Sequence, residues 1–267
     1  MELTVAGQRV HAGTGGRAFD PDLPLVIFLH GAGLDHTVWA LPARYFAHHD
    51  KAVLAVDLPG HGRSGPDKSG GAALTSETAM ADWEVQVLDA VGGGKAALAS
   101  HSMGALVALS AAARHPERIR ARALMGAAPK MPVHPDLLAA AAADEHVAFD
   151  LMTSWGFGPS GQLGGARVPG SWLMGGSERL LERIAPGVLS ADLAACNAYA
   201  DGLEDAAKVA CPTTVIMGSD DKMTPARAGA KLVAAIPGAQ GVVIPACGHM
   251  MLAEKPDETL DALRSVL

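Results

Sequence analysis

Continuous apolar runs mark the predicted strands of this chain. Residues 25–29 (Leu-Val-Ile-Phe-Leu) and 52–56 (Ala-Val-Leu-Ala-Val) contain no polar side chain, which is typical of strands buried on both faces. Residues 3–5 and 9–12 flank a Gly-Gln pair and predict a hairpin. The other predicted strands are 96–99, 119–125, 213–217 and 242–244.

Periodic apolar positions predict helices between these strands. In the segment 75–91, Ala79, Trp83 and Val87 recur every four residues, and Thr75 or Ser76 is a suitable N-cap. The other predicted helices of this alternation are 104–114, 225–236 and 255–266. Because strands and helices alternate at this spacing, we predict an α/β fold with a parallel sheet covered by helices on both faces.

The stretch from residue 130 to residue 205 interrupts this alternation. An Ala-rich segment at 137–143 predicts a helix, and the passage 156–176 contains eight glycines, which weaken any regular structure. We therefore predict one core domain formed by residues 1–129 and 206–267. Residues 130–205 are predicted to form a cap over the edge of the sheet.

Composition excludes several classes of protein. Of 267 residues, 49% are hydrophobic and 18% are charged, which is typical of a folded globular chain. Lys and Arg number 21 against 28 Asp and Glu, and the resulting net charge of −7 argues against a nucleic-acid partner. Three cysteines without Cys-x-x-Cys spacing predict neither a disulfide framework nor a zinc site. No secretory signal or membrane-spanning run is visible, so we expect a soluble, cytoplasmic protein with no membrane partner.

The pentapeptide Ser-His-Ser-Met-Gly at residues 100–104 is the strongest indication of function. Its central residue, Ser102, lies between a predicted strand and a predicted helix and has a small residue two positions away on each side. A sharp turn of this kind strains the serine backbone and projects its hydroxyl from the sheet. The Met103 N–H would lie at a helix N-terminus, where partial positive charge favours an oxyanion. The structural alternative is that Ser102 only caps the helix.

With this pentapeptide, the chain resembles the α/β-hydrolase superfamily. Other motifs in the order of that family carry the resemblance, and they lie at residues 30–33 (His-Gly-Ala-Gly), 57–64 (Asp-Leu-Pro-Gly-His-Gly-Arg-Ser), 218–225 (Gly-Ser-Asp-Asp-Lys-Met-Thr-Pro) and 248–250 (Gly-His-Met). The chain departs from the usual pattern at Ser100, where the family has glycine. The resemblance extends over nearly the whole chain except the insertion. It implies an α/β-hydrolase fold, with a mostly parallel central β-sheet flanked by helices and a helical cap.

The resemblance also implies roles for individual residues. Ser102 would be the nucleophile, His249 the base that takes its proton, and Asp221 the carboxylate that orients the imidazole. The backbone N–H groups of Ala32 and Met103 would form the oxyanion hole. Asp220 competes for the acid role, but the family spacing from Gly218 selects Asp221. Alone, Asp221 would be interpreted as a turn former and His249 as a loop histidine.

Other polar residues of these motifs are expected to be structural. Asp57 would accept backbone hydrogen bonds, and His30 and His101 would support the site by hydrogen bonding rather than by catalysis. His48, His49 and Asp50 would lie in a solvated loop rather than bind a metal. The chain has no dinucleotide fingerprint, no complete phosphate loop and no His-Glu-x-x-His, so we expect no cofactor and no metal.

The substrate depends on the cap and not on the fold. The large apolar residues of the insertion would either line an acyl or aromatic pocket or form a small core of the cap itself; they include Trp155, Phe157, Trp172 and Met174. The insertion has no cluster of Lys or Arg, so we predict as substrate a small or medium uncharged carboxylic ester. The oligomeric state is not predicted.

Two alternative functions stay open. Similar enzymes that cleave carbon–carbon bonds of ring-fission products usually have Trp after the catalytic histidine, whereas this chain has Met250 and Met251, which disfavours that activity without removing it. Some proteins of this fold are instead ligand receptors or signalling partners with slow turnover. Thioesters, lactones and amides would be cleaved by the same residues.

Overall fold

One eight-stranded sheet forms the centre of the molecule in this computed structural model, which describes residues 1–65, 73–167 and 170–267. In chain order, the strands are β1 (Glu2–Val5), β2 (Gln8–Gly13), β3 (Leu25–Leu29), β4 (Ala52–Val56), β5 (Ala96–His101), β6 (Ile119–Met125), β7 (Thr213–Gly218) and β8 (Gln240–Ile244). Their spatial order is β1-β2-β4-β3-β5-β6-β7-β8. The first two strands pair antiparallel with their neighbours, and all later pairs are parallel.

Helices cover the sheet and fill the connections. In the described residues they are α1 (Ala40–Ala47), α2 (Glu77–Ala90), α3 (Met103–Arg114), α4 (Pro135–Ala142), α5 (Val147–Gly156), α6 (Pro159–Gln162), α7 (Leu173–Leu181), α8 (Val188–Ala198), α9 (Gly202–Lys208), α10 (Ala226–Ala235), α11 (Met251–Glu254) and α12 (Pro256–Arg264). Short 3₁₀ turns lie at His36–Trp39 and Gly62–Ser64. None of the helices in the described part of the chain is both long and apolar enough to cross a membrane.

The sheet is buried on both faces, as its uninterrupted apolar strands predict. In β3, Ile27 and Leu29 belong to one apolar cluster, whereas Val26 and Phe28 belong to a second one. Both clusters exclude water, so no position of β3 favours a polar side chain. The predicted α/β-hydrolase fold is confirmed.

Among the described residues, six helices, α4 to α9, lie between β6 and β7, and the first five fall within the region predicted as an insertion. The predicted boundary at residue 205 falls within α9, which packs against α3 of the core. The division into a core and a cap remains a prediction.

The glycines of residues 156–176 were expected to weaken regular structure, yet two helices begin within this passage. Helix α6 lies within this passage and begins at Pro159, whose fixed φ suits a first helical position. Helix α7 begins at Leu173 and includes Gly175 and Gly176. Gly175 is buried beneath the ring of Trp172, and a side chain at this position would collide with that ring. Tertiary packing thus compensates for the low helix propensity of glycine.

Candidate active site

Ser102 lies between the end of β5 and the start of α3, near the middle of the sheet. Its backbone has φ 54° and ψ −120°, a strained conformation that is stabilised by a 2.8 Å hydrogen bond from its N–H to the Met125 carbonyl. The turn is tight, because a Cβ at Gly104 would lie 2.6 Å from the carbonyl oxygen of His30. Strain of this kind is typical of functional sites.

Ser100 occupies the position where the family has glycine. It fits the turn because its hydroxyl finds a hydrogen-bond partner. The side chain is fully buried, and its Oγ donates a 2.9 Å hydrogen bond to the Ala123 carbonyl of β6. A buried hydroxyl with a partner is not penalised by burial. The departure from the family pattern therefore leaves the turn at Ser102 intact.

Asp221 and His249 form a buried pair, although 28 residues separate them in the chain. Nδ1 of His249 lies 2.8 Å from Oδ2 of Asp221. The other oxygen of the carboxylate accepts hydrogen bonds from the N–H groups of Met223 and Thr224, at 2.9 and 2.7 Å. The Thr224 hydroxyl donates a further 2.7 Å bond to Oδ2. Burial alone would raise the pKa of Asp221, but His249 and these donors outweigh it and hold the pKa below its ordinary value.

The geometry determines which nitrogen of His249 is available for chemistry. Nδ1 donates to the ionised Asp221, so Nε2 of the neutral ring carries the lone pair. Within the described residues Nε2 has no hydrogen-bond partner, although it is buried. Both Ser102 and His249 line one cavity of about 350 Å³. Asp220, the competing acid, does not contact His249 and instead accepts a hydrogen bond from Ser219.

Two backbone N–H groups next to Ser102 are unused. Met103 is the first residue of α3, so its N–H has no partner within the helix. Ala32 lies in the loop after β3 and lines the same cavity as Ser102. Among hydrogen bonds of the described residues, neither N–H donates to a protein acceptor. Both groups are thus available to a ligand.

The cavity is mostly apolar, and one of the four predicted pocket residues lines it. That residue is Trp155. The expectation for the other three is corrected: Phe157 is buried in packing against Gly161, Trp172 is 66% exposed with its ring on Gly175, and Met174 lies half-buried in α7. Most of the apolar lining between β6 and β7 consists instead of residues that the sequence did not single out: Met131, Pro132, Val133, Leu137, Met152 and Leu193.

His30 and His101 are structural, as predicted. Burial lowers the pKa of His30 to about 4, and its Nε2 accepts a 3.1 Å hydrogen bond from the Leu58 N–H. Burial lowers the pKa of His101 to about 3, and its Nε2 donates to the His249 carbonyl at 2.9 Å. Both rings are therefore neutral near pH 7, and His101 fixes the backbone of His249.

Asp57 has the structural role expected of it. One carboxylate oxygen accepts from the N–H and from Nδ1 of His36, at 2.7 and 2.8 Å. The other accepts from the N–H of Arg63 at 2.9 Å. Burial would raise the pKa of Asp57, but His36 outweighs this effect and the pKa is lowered. The carboxylate thus connects two loops at the end of β4.

Asp192 connects the insertion to the loop that carries Ala32. Its fully buried Oδ2 accepts 2.8 Å hydrogen bonds from the N–H of Gly33 and from Nε2 of His61. Nδ1 of His61 faces the Pro59 carbonyl at 3.1 Å, so both ring nitrogens of His61 face acceptors. Burial lowers the pKa of His61, but the negative Asp192 outweighs burial and raises the pKa above its ordinary value. The sequence gives no indication of this contact, because 131 residues separate the two side chains.

Glu254 holds the loop of His249 against the insertion. Its carboxylate accepts hydrogen bonds from the N–H groups of Gly158 and Gly248, each at 3.0 Å. The Gly156 carbonyl, also in the insertion, accepts from the N–H of His249 at 2.8 Å. The position of the imidazole thus depends on the end of α5.

In the described part of the chain, two groups of side chains have donor atoms close enough for a metal ion, and neither group lines the cavity. They are His11 with His36 and Asp57, and His146 with Asp150 and Glu178. In the first group, both carboxylate oxygens of Asp57 already accept hydrogen bonds. The second group lies on exposed or partly exposed parts of the insertion.

Comparisons with known proteins found similar chains and similar structures. A succinate-derivative hydrolase of Acinetobacter baylyi, (E)-2-((N-methylformamido)methylene)succinate hydrolase, is 26% identical over 258 residues, 91% of this chain and 90% of its own length. A 2-hydroxymuconate semialdehyde hydrolase of Pseudomonas putida is 26% identical over 93% of this chain and 86% of its own.

A similar fold occurs in the crystal structure of an enol-lactonase from Burkholderia xenovorans. That structure has a TM-score of 0.86 and 21% sequence identity, and the match covers 99% of this chain and 98% of the other. The model of the alpha/beta hydrolase family matches residues 26–262, which include Ser102, Asp221 and His249. The chain therefore belongs to the alpha/beta hydrolase family.

Proposed function

We propose that this protein is a serine hydrolase that cleaves a small or medium carboxylic ester through an acyl-enzyme. The observation that carries this proposal is the unpartnered Nε2 of His249, in the cavity that Ser102 also lines, on a ring held by Asp221 at 2.8 Å. A serine hydroxyl needs a base to become a nucleophile at neutral pH. His249 is the buried histidine of the cavity, and its carboxylate partner is buried with it.

In the first half of the reaction, Ser102 Oγ attacks the ester carbonyl carbon while its proton passes to Nε2 of His249. The C=O bond becomes a single bond, and the negative oxygen is stabilised by the N–H groups of Ala32 and Met103. Each such donor typically contributes ~2.7–4 kcal/mol to lowering the barrier. Collapse of the intermediate breaks the bond to the alcohol, which takes the proton from His249.

In the second half, a water molecule attacks the acyl-enzyme. His249 takes one proton of the water, and the second tetrahedral intermediate then collapses: the bond to Ser102 Oγ breaks, Oγ takes the proton back from Nε2 of His249, and the carboxylic acid is released. Asp221 keeps the imidazole in one tautomer and stabilises the imidazolium formed in both halves. The lowered pKa of Asp221 supports this role, because it keeps the carboxylate ionised at neutral pH.

Carbon–carbon bond hydrolysis is the second candidate function. It is favoured by the likeness to the 2-hydroxymuconate semialdehyde hydrolase, and the apolar cavity would accept a ring-fission product. It is disfavoured by Met250, which follows His249 where such enzymes usually have Trp. A screen of esters, lactones and ring-fission products at equal concentration separates the two candidates by their kcat/KM values.

The proposal is tested by labelling with a fluorophosphonate probe and by assays with short p-nitrophenyl esters. We expect Ser102→Ala to abolish both labelling and turnover, and Asp221→Asn to lower kcat by roughly 10³-fold or more, because it removes the charge that holds the tautomer. Asp220→Asn is the matched control and should retain activity within about threefold of wild type. Labelling that persists in Ser102→Ala, or an Asp220 variant weaker than the Asp221 variant, would refute these assignments.

A further inference from the structure

The cavity at Ser102 carries one permanent charge, and that charge is positive. Among the described residues that line it, Lys222 is the single Lys or Arg, and no Asp or Glu is present. The other lining groups are apolar, apart from a serine, a threonine and two histidines. This local sign is opposite to the net charge of −7 of the chain.

The position of Lys222 follows from that of Asp221. The Asp221 carboxylate accepts hydrogen bonds from the N–H groups of Met223 and Thr224, and these bonds fix the turn in which Lys222 lies. The backbone of Lys222 is thereby held next to the residue that orients His249. The Lys222 side chain lines the cavity and is at the same time exposed to solvent.

The ammonium group of Lys222 is not neutralised by the protein. No carboxylate among the described residues forms an ion pair with it, although Asp221 directly precedes Lys222 in the chain and Asp220 lies one residue further back. Asp221 is paired with His249, and Asp220 accepts from the Ser219 hydroxyl. Lys222 is therefore a hydrated cation at the edge of an apolar cavity, and its ammonium group can pair with an anionic group of a bound substrate.

We propose that Lys222 selects substrates that carry a carboxylate in addition to the ester that is cleaved, such as half-esters of dicarboxylic acids or esters of hydroxybenzoic acids. This proposal rests on the proposed serine hydrolase function. It replaces the expectation of an uncharged ester, which considered the insertion alone, whereas the cation comes from the core loop after β7. Because the contact is made equally in the ground and transition states, it acts mainly on KM.

The test compares matched pairs of esters in wild type and in Lys222→Met. One pair is mono-p-nitrophenyl succinate and its methyl ester, and the other is 4-carboxyphenyl acetate and its methyl ester. The quantity measured is the ratio of kcat/KM for the acidic ester to kcat/KM for the methyl ester. Taking this ratio in both proteins removes the intrinsic reactivity of each ester, as in a double-mutant cycle.

We expect Lys222→Met to reduce this ratio by about 10-fold in at least one pair, with the change mostly in KM, and Lys222→Glu to reduce it further. Lys222→Arg should retain part of the preference. Added salt should reduce the preference of wild type and leave that of Lys222→Met unchanged. Lys231→Met, an exposed lysine of α10 outside the cavity, is the control and should leave the ratio unchanged.

Equal ratios in wild type and Lys222→Met for both pairs would overturn the proposal. That outcome differs from failure of the proposed function, which would appear as absence of turnover for all four esters and absence of fluorophosphonate labelling. A preference that is salt-dependent but persists in Lys222→Met would place the anion-binding group elsewhere and would also overturn the proposal.

Discussion

Glu84 is a carboxylic acid without exposed surface, on the face of α2 that packs on the core. Within the described residues, neither of its oxygens has a hydrogen-bond partner. Burial raises the pKa of Glu84 to about 8. The side chain is therefore protonated in the folded protein at neutral pH, and folding takes up a proton there.

This uptake gives Glu84→Gln a specific effect on stability. The unfolded chain loses the proton above its ordinary pKa of 4.5, whereas the folded chain keeps it up to about pH 8, so Glu84 lowers the free energy of unfolding as pH rises through this window. We expect the glutamine variant to gain stability relative to wild type with rising pH, by about 3 kcal/mol between pH 4.5 and 7.

Urea denaturation of both proteins at several pH values measures this difference. Subtracting wild type removes the contribution of Glu77, whose pKa burial raises to about 7. Glu117→Gln, at an exposed position, is the matched control and should show no pH-dependent difference. A stability difference for Glu84→Gln that is flat with pH would contradict the buried, protonated state.

At the scale of elements, α8 and the loop after β3 are joined through one carboxylate. Asp192 accepts from the N–H of Gly33, which follows the proposed oxyanion donor Ala32, and from His61. Both ring nitrogens of His61 face acceptors, an arrangement that favours the protonated ring. The raised pKa of His61 means that the pair stabilises the fold below the ordinary pKa of 6.5 and that this contribution is lost as pH rises through the folded pKa.

Asp192→Asn should therefore shift the alkaline side of the pH–activity profile. The asparagine oxygen can still accept from Gly33, but the charge that keeps His61 protonated is gone, so the pKa of His61 falls. We expect kcat/KM of the variant to decline at a pH lower than in wild type, by about one unit or more. Profiles from pH 6 to 10 measure this, with Asp201→Asn, at an exposed position, as the control. An unchanged alkaline side of the profile would show that the protonation of His61 does not affect catalysis, and would contradict this prediction.

At the scale of the whole molecule, the two ends of the region between β6 and β7 lie against each other. Gly202, the first residue of α9, lies against Pro129, and a Cβ at residue 202 would collide with the Pro129 carbonyl. Gly176, in α7, has open space around the position of a Cβ. The two glycines thus differ in tertiary environment although both lie in helices.

Alanine at these two positions should have opposite effects. Gly202→Ala should lower the free energy of unfolding by about 1–3 kcal/mol, because the backbone of Pro129 has to move. Gly176→Ala should raise it by about 0.5–1 kcal/mol, because alanine favours a helix and nothing obstructs its methyl group. Thermal and urea unfolding of both variants measure these changes. Equal effects would mean that the two ends of the region are not packed as described.

Strands were predictable wherever burial on both faces left no room for polar residues. The predicted ranges 25–29, 52–56 and 119–125 agree with β3, β4 and β6 to the residue. Hydrogen bonding to neighbouring strands extends β5 to His101 and β8 back to Gln240, where the sequence contains polar residues or glycine. The lining of the cavity was less predictable, because an apolar residue that lines a cavity, such as Met131 or Met152, cannot be distinguished in the sequence from an apolar residue of the core.

The order of the elements, the turn at Ser102 and the choice of Asp221 over Asp220 could be predicted from the sequence, since they depend on local properties: apolar runs, small residues and motif spacing. The contacts that Asp192 and Glu254 make between the region after β6 and the active-site loops, and the place of Lys222 at the cavity, emerge only in the folded molecule. These contacts join residues that are distant in the chain. Their geometry depends on how the sheet and the helices pack, which no local pattern records.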